Sequence, residues 1–412
     1  MVAGLPALAW AAPGDHIRAG EAIITPSVEF GIEHSTNAYR AESDVRGGTD
    51  VLLTPRVEIA AEGGDVEFSL DGAWELRKYF QSGLTNLDRY TDFRIGADLL
   101  LLKQQAVAFR LNDDVGLKNR EVTRPFAGSG FNTQFRNHFS GAIIVQAGPV
   151  LLFEIGGFWG YDDYLVQDYG NQGLRPFNFR NSFGPTVDAE WSFLPRTAVV
   201  AGFEYGFYRW NEHWVSTSNA QSELGSFIGL PDSRAWKTRL GLRGRMTERL
   251  VLLLQLGYGQ AGYDEQTVID DGGGGEDADA IATDLRGLSG LVFTGQITWA
   301  MAPEERVVLR FERDFNDSWF TNYVSYNEIR AYWDDRLGSR IGTHLGALVR
   351  FEEYEGEVTR GDLLLRGDAN VSYYLRDWAR LKAGVQFDQR ASTAAGVDYT
   401  DFNAHVLAMF TY

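Results

Sequence analysis

Period-2 alternation, held far beyond the length of an ordinary strand, limits what this chain can fold into more than any other feature. In DVEFSLDGAWELRKYF, 65–80, one face is Val66, Phe68, Leu70, Gly72, Trp74 and Leu76. The other is Glu67, Ser69, Asp71, Ala73, Glu75 and Arg77. Successive strand residues point to opposite faces, so this is a strand with one apolar and one charged side. It runs for 16 residues, against roughly 5–6 for a strand of a globular protein.

The pattern recurs at 21–33, 50–61, 90–102, 105–116, 137–147, 150–161, 181–193, 198–210, 233–246, 250–262, 287–300, 306–315, 322–333, 340–353, 361–374, 381–390 and 398–412. With 65–80 this predicts about eighteen strands. Their connections alternate as well. Tight turns stand at 62–65, 103–105, 147–150, 194–197, 247–249, 302–305, 334–339 and 376–379. Longer polar segments lie between them, at 34–49, 81–89, 117–136, 162–180, 211–232, 263–286, 316–321, 354–360 and 391–397. Short turns on one side and long loops on the other describe an antiparallel transmembrane β-barrel with both termini periplasmic, in a Gram-negative outer membrane. The lipid bilayer, lipopolysaccharide and the barrel-assembly machinery are its expected partners.

Other bulk properties fit. No apolar run approaches the ~18–20 residues of a spanning helix. A net charge of −18 argues against nucleic acid as a partner, because phosphate binding needs a basic stripe. With no Cys there is neither a disulfide framework nor a thiolate metal site. The start, MVAGLPALAWAAPGD, reads as the tail of a secretory signal with Ala9-Trp10-Ala11 in an A-x-A arrangement. The expected organisation is a signal remnant and N-terminal extension at 1–19, then one barrel over 20–412. Tyr39, Trp159, Tyr161, Trp191, Trp236, Tyr258, Trp299, Tyr323, Trp333 and Trp378 fall near predicted strand ends, where aromatic girdles sit. Tyr412, Phe410, Ala408, Val406, Ala404 and Phe402 form the lipid face of the last strand, which must pair with the first because a barrel has no open edge.

A barrel of this size encloses water, and the second face of each strand should line it. Acidic candidates are Glu58, Glu75, Asp98, Glu190, Glu204, Glu312 and Asp368; basic ones are Arg310, Arg330, Arg350 and Arg366. These charges either touch solute or pair across strands as ladders. Lys237, Arg239, Arg243 and Arg245 share one face of a single strand, WKTRLGLRGRM. Four cations along the pore axis either guide an anionic solute or neutralise Glu190 and Glu204. Tyr79, Phe158, Tyr208, Trp210, Tyr332 and Tyr374 also fall inward; they are candidates for stacking on sugars or pack the loops. Loops 211–232 and 263–286 are candidates for folding inward as gates.

The Gly-rich VIDDGGGGEDADA, 268–280, lacks the spacing of an EF-hand and reads as a solvated acidic loop. Of the six histidines only His344 and His405 fall on inward strand positions, with no Ser/Asp constellation beside them. The expectation is a protein that is not an enzyme and uses no metal or cofactor.

The opening SVEFGIEHSTNAYRAESDVRGGTDVLLTPRVEI, 27–59, resembles the start of the outer-membrane proteins called putative β-barrel porin type 2. Their first strand runs into an x-x-N-x-Y-R loop and then a strand with a central Pro, here Asn37, Tyr39, Arg40 and Pro55. The group is associated with export of capsular or exopolysaccharide, and some myxobacterial members look like eighteen-stranded barrels serving a periplasmic export component. The resemblance implies an outer-membrane channel for a secreted polysaccharide, with a periplasmic polysaccharide-export protein as a partner. A diffusion porin for small solutes or oligosaccharides is the alternative.

Overall fold

A computed structural model of the chain describes residues 16–412 except 39, 44, 82–91, 121–131, 168–173, 212–213, 217–226, 230, 265–266, 270–279, 283–284, 319–320 and 357–358. The N-terminal residues 1–15, Tyr39, His213 and most of the Gly-rich loop therefore lie outside the described residues. Eighteen long strands make the wall. The first nine are β1 (Ala22–Ser35), β2 (Gly48–Glu62), β3 (Val66–Tyr79), β4 (Asp92–Leu101), β5 (Val107–Arg120), β6 (Asn132–Gln146), β7 (Leu151–Gln167), β8 (Leu174–Leu194) and β9 (Thr197–Trp210). The second nine are β10 (Ser233–Arg245), β11 (Leu250–Tyr263), β12 (Leu288–Ala302), β13 (Glu305–Asp317), β14 (Tyr323–Leu337), β15 (Ile341–Glu355), β16 (Arg360–Arg376), β17 (Ala379–Ser392) and β18 (Tyr399–Thr411).

Each strand pairs antiparallel with the next, and β18 closes on β1 from Ser27↔Thr411 to Ser35↔Asn403. Closure leaves no row of unpaired backbone groups, which hydrocarbon does not tolerate. The alternation now has a physical meaning. Phe30, Ile32, Trp74, Ile155, Leu240, Leu256, Leu291, Phe351 and Val406 stand exposed on the outside, while their sequence neighbours turn to the lumen. Exposed apolar side chains on every strand of a closed sheet are a lipid-facing surface. The chain is a Gram-negative outer-membrane barrel.

Aromatic rings gather on the outer face toward both ends of the strands. Toward the long loops Phe183 stacks on Phe207, Tyr205 meets Phe207 edge-on, and Trp236 tilts against Tyr258. Toward the short turns Trp191 packs with Phe193, and Trp378 with Phe410. Amphipathic rings are suited to those two water–lipid boundaries. Both ends of the sheet-forming chain, Ala22 and Thr411, lie on the short-turn side.

The segments that resemble the porin group have structural work to do. Pro55 has no N–H to donate, and the β2–β3 ladder skips from Leu53↔Leu76 to Arg56↔Ala73 around it. Asn37 is buried. It exchanges hydrogen bonds with Ala41 at 2.8 and 3.0 Å, and its N–H donates to Asp401 at 3.0 Å. That knot turns the first long loop back over β17 and β18, where Arg40 reaches Asp388 at 3.3 Å.

Three regions differ from expectation. The segment 162–180 reads as loop in sequence, yet β7 continues to Gln167 and β8 begins at Leu174, pairing Asp162 with Arg180 and Gln167 with Leu174. Likewise β5 and β6 extend into 117–136. Beyond the membrane neither face must be apolar, so the alternation fades while the ladder continues. At the other end Ile17–Ala19, placed in an N-terminal extension by sequence, folds back to pair with Ala22–Ile24 of β1.

Candidate functional site

The lumen is shaped by a hairpin that parts from β12 while it stays in the ladder with β15 as far as Tyr323↔Glu355. Pairing of β13 with β12 stops at Phe293↔Arg313, but pairing with β14 continues from Asp314↔Tyr326 to Asp317↔Tyr323. The end of β13 and the start of β14 therefore tip inward together. Strict alternation would aim Phe315 at lipid. Instead it packs inside against Ala235, Ala261 and Val292. Glycine permits this approach: a Cβ on Gly259 would stand 2.5 Å from Phe315 Cε1.

Charge holds the hairpin there. Asp314 accepts from Lys237 at 2.8 Å and from Arg239 at 2.7 Å, and Lys237 also donates to the Phe315 carbonyl at 2.7 Å. The Lys237 ammonium sits 4.5 Å from the centre of the Phe315 ring. Asp317 receives Ser233 Oγ at 3.0 Å and Arg180 at 3.4 Å. At the tip Tyr263 donates to the Asn322 carbonyl at 3.0 Å, and Asn322 donates to the Arg286 carbonyl at 3.0 Å. Arg180 lies on β8, five strands from β13, so the hairpin projects well across the lumen. Gates were expected at 211–232 and 263–286, most of which lies outside the described residues. Among the described residues, those seen folding inward are 314–318 and 321–323, either side of the shorter 316–321 connection's centre.

Beside the hairpin is a cavity of about 850 Å³ bounded by β5–β9 on one side and by Tyr326, Arg350, Glu352 and Arg390 on the other. Toward the short turns a second cavity of about 890 Å³ lies against β14–β18. Ion pairs stand in and behind both walls. Arg350 binds Glu328 at 2.8 Å and Glu352 at 3.3 Å, and Arg330 binds Glu328 at 3.1 Å. Arg390 bridges Glu352 at 3.8 Å and Asp362 at 3.5 Å, while Arg360 and Asp362 pair at 2.8 Å with both side chains fully enclosed. Arg310 pairs with Glu312, and Arg366 with Asp388.

The register puts Arg310 opposite Arg330 and Glu312 opposite Glu328, and like charges directly opposed repel. At such places the pairs run along a strand at i, i+2 instead of across, as in Arg310–Glu312, Arg330–Glu328 and Arg77–Glu75.

Of the basic strand, Lys237 and Arg239 are latched to Asp314, and Arg243 is held by Glu190 at 2.5 Å. Arg245 stands exposed at the strand's short-turn end. Glu204 lines the first cavity, two positions from the buried Gly206. Asp98 receives Asn112 at 3.5 Å, and Asp368 pairs with His344 at 3.0 Å. Glu58 faces Thr25 and Asp71 across its two ladders.

The aromatic candidates are mostly covered by cations. Arg180 lies over Tyr208 at 5.4 Å and Trp210 at 5.6 Å, Arg306 over Tyr332 at 5.6 Å, and Arg336 over Tyr374 at 4.8 Å. Tyr79 is buried, and Phe158 lines the first cavity. Sequence reasoning missed Arg180, Asp314, Asp317, Arg360, Asp362 and Arg390. The one available signal was a pair of acids, Asp314 and Asp317, at the entrance to the shortest of the long-side connections, 316–321.

No family model matches the chain, and no curated protein matches it. Among solved structures, it is similar to the FrpB iron transporter from Neisseria meningitidis, at 9% identity and a TM-score of 0.48 over 89% of this chain and 62% of that one. The copper transporter OprC gives 12% identity and 0.48 over 92% and 64%. OpdK from Pseudomonas aeruginosa, solved with vanillate, gives 12% and 0.44 over 95% and 99%. The chain thus spans under two thirds of the length of the first two. The fold assignment rests on the closed ladder itself.

Proposed function

We propose that the barrel is a channel through which small polar solutes diffuse across the outer membrane, with the inward hairpin setting the size of what passes. The observation that carries this reading is the ion-latched 314–323 hairpin. Eighteen strands enclose a lumen too wide to be filled by wall side chains, and the hairpin takes up part of it. What remains beside the hairpin is a polar cavity of about 850 Å³, a scale that suits a small molecule or short oligosaccharide. Paired charges keep that path hydrated and offer hydrogen bonds to hydroxyl groups, while nearby opposite charges largely cancel at a distance.

Export of a polysaccharide is the less favoured reading. A passing polymer needs uncovered rings along its way, whereas guanidinium groups lie over Tyr208, Trp210, Tyr332 and Tyr374. Liposome swelling with a series of neutral sugars of increasing mass tests the proposal. Uptake should fall steeply with size, and removal of the hairpin tip should relax the cut-off. A cut-off unmoved by that deletion sinks the role given to the hairpin. Deleting the gene separates the two cargoes: lost surface polysaccharide with unchanged solute permeability would overturn the diffusion reading.

A further inference from the structure

The cations singled out by sequence, on β10, are largely taken by carboxylates, whereas Arg136 beside the first cavity and two neighbours beside the second are not. Arg380 and Lys382 stand two residues apart on the inward face of β17 and line the second cavity. Among the described residues neither has a carboxylate partner. Arg380 donates one N–H to Met409 Sδ at 3.0 Å, a weak acceptor, and its Nε is buried without any partner.

The acids around them are engaged. Glu29 pairs with Arg56 at 3.6 Å, Asp368 with His344 at 3.0 Å, and Asp388 with Arg366. His344 also holds Asp334 at 2.6 Å through its other nitrogen. A third cation, Arg336, lies 4.8 Å from the centre of the Tyr374 ring and has Glu304 at 3.7 Å. Arg380 shares that ring at 5.9 Å.

The floor between these groups is low. The register sets Gly342 beside Ser372 and Ser372 beside Lys382, one row of small residues leading from Arg336 to the lysine. In the next row Asn370 spans Gly384 to meet His405 at 3.0 Å, over a backbone where a Cβ would strike both side chains. The result is a shallow basin walled by Arg336, Tyr374, Arg380 and Lys382.

We infer that this basin, in the short-turn half of the lumen, is a binding subsite for the carboxylate or phosphate group of a small anionic solute. The cations of this wall differ in what already holds them. Arg310, Arg330, Arg350 and Arg366 already have their anion, so a solute must displace a carboxylate held in place by the fold. Arg380 and Lys382 have none, and burial of one guanidinium nitrogen without a partner leaves a hydrogen bond to be gained when an anion arrives. The inference deepens the channel proposal, on which it rests for the solute's access, by naming the class of solute.

Isothermal titration of the detergent-purified barrel with citrate, and separately with inorganic phosphate, tests it without relying on transport. Wild type should bind at least one of the two, and the R380Q/K382Q variant should bind it roughly tenfold or more weakly. Arg243→Gln removes a cation that is already paired, and should leave binding unchanged. Heat-modifiable migration on a gel verifies that each variant has kept its barrel. No binding by wild type, or equal binding by wild type and R380Q/K382Q, overturns the subsite. Planar-bilayer conductance reads the channel separately. Conductance without anion binding defeats only the subsite; binding without conductance defeats the channel and leaves the subsite standing.

Discussion

Replacing Asp314 by Asn should release the hairpin. Asp314 accepts from Lys237 at 2.8 Å and Arg239 at 2.7 Å, and Lys237 is only 8% exposed. The amide keeps the shape but leaves a buried ammonium without its counter-charge. Removing one partner of a buried ion pair costs about 3–5 kcal/mol. Arg239 is a quarter exposed and is served by water, so its loss adds little. The hairpin can escape the penalty by lifting off β10, which lets Lys237 hydrate. At about 3 kcal/mol the ratio of docked to undocked hairpin falls by roughly two orders of magnitude. Single-channel recording in planar bilayers is the assay: Asp314→Asn should dwell in a conductance level above the wild-type one. Lys237→Met combined with Asp314→Leu replaces the pair by apolar contact beside Phe315, and should return the current toward wild type, since such swaps are often neutral. Recordings of Asp314→Asn that superimpose on wild type, or a double variant more open than the single one, would refute the latch.

Four further outcomes follow from the same geometry. Gly259→Leu should open the channel much as Asp314→Asn does, because its side chain claims the volume of the Phe315 ring; unchanged conductance would remove the packing argument. Arg360→Ala leaves the enclosed Asp362 with only Arg390 at 3.5 Å and should cost about 3–5 kcal/mol, read as a lower urea midpoint in lipid vesicles. Val406→Arg places a charge on the lipid face of β18, where Val406 is 60% exposed, and should cost about 2–4 kcal/mol near the midplane in the same assay. Arg243→Gln breaks a pair whose arginine is half exposed. Screening holds its effect on stability below about 1 kcal/mol, and a larger loss would show that pair to be less hydrated than its exposure implies.

The contrast between β3 and β13 shows how far the sequence could be read. Over 66–77 the alternation holds with Gly72 and Ala73 as its only neutral positions, because lipid on one side and water on the other impose it on each position separately. In β13 the same rule serves Val307, Leu309 and Phe311 and then fails at Phe315. Locally only the acids at 314 and 317 mark that failure. The strand turns inward because Gly259, two strands away on β11, leaves room for the ring and because Lys237 and Arg239 supply the counter-charge. The basic strand is a related case. Its four cations were correctly grouped on one face, but whether they meet solute or carboxylate depends on Asp314 and Glu190, which lie 75 and 53 residues away.

By itself the sequence determined the number of strands, the lipid-facing residues, the short-turn and long-loop sides and the need for β18 to close on β1. Each of these is a local consequence of two solvents acting on a pleated strand. Only the tertiary structure decided which lumen charges are satisfied, which rings are covered and where the lumen narrows. Those depend on approaches such as Arg180 to Asp317, 137 residues apart, and water in the lumen imposes no pattern by which a sequence could announce them.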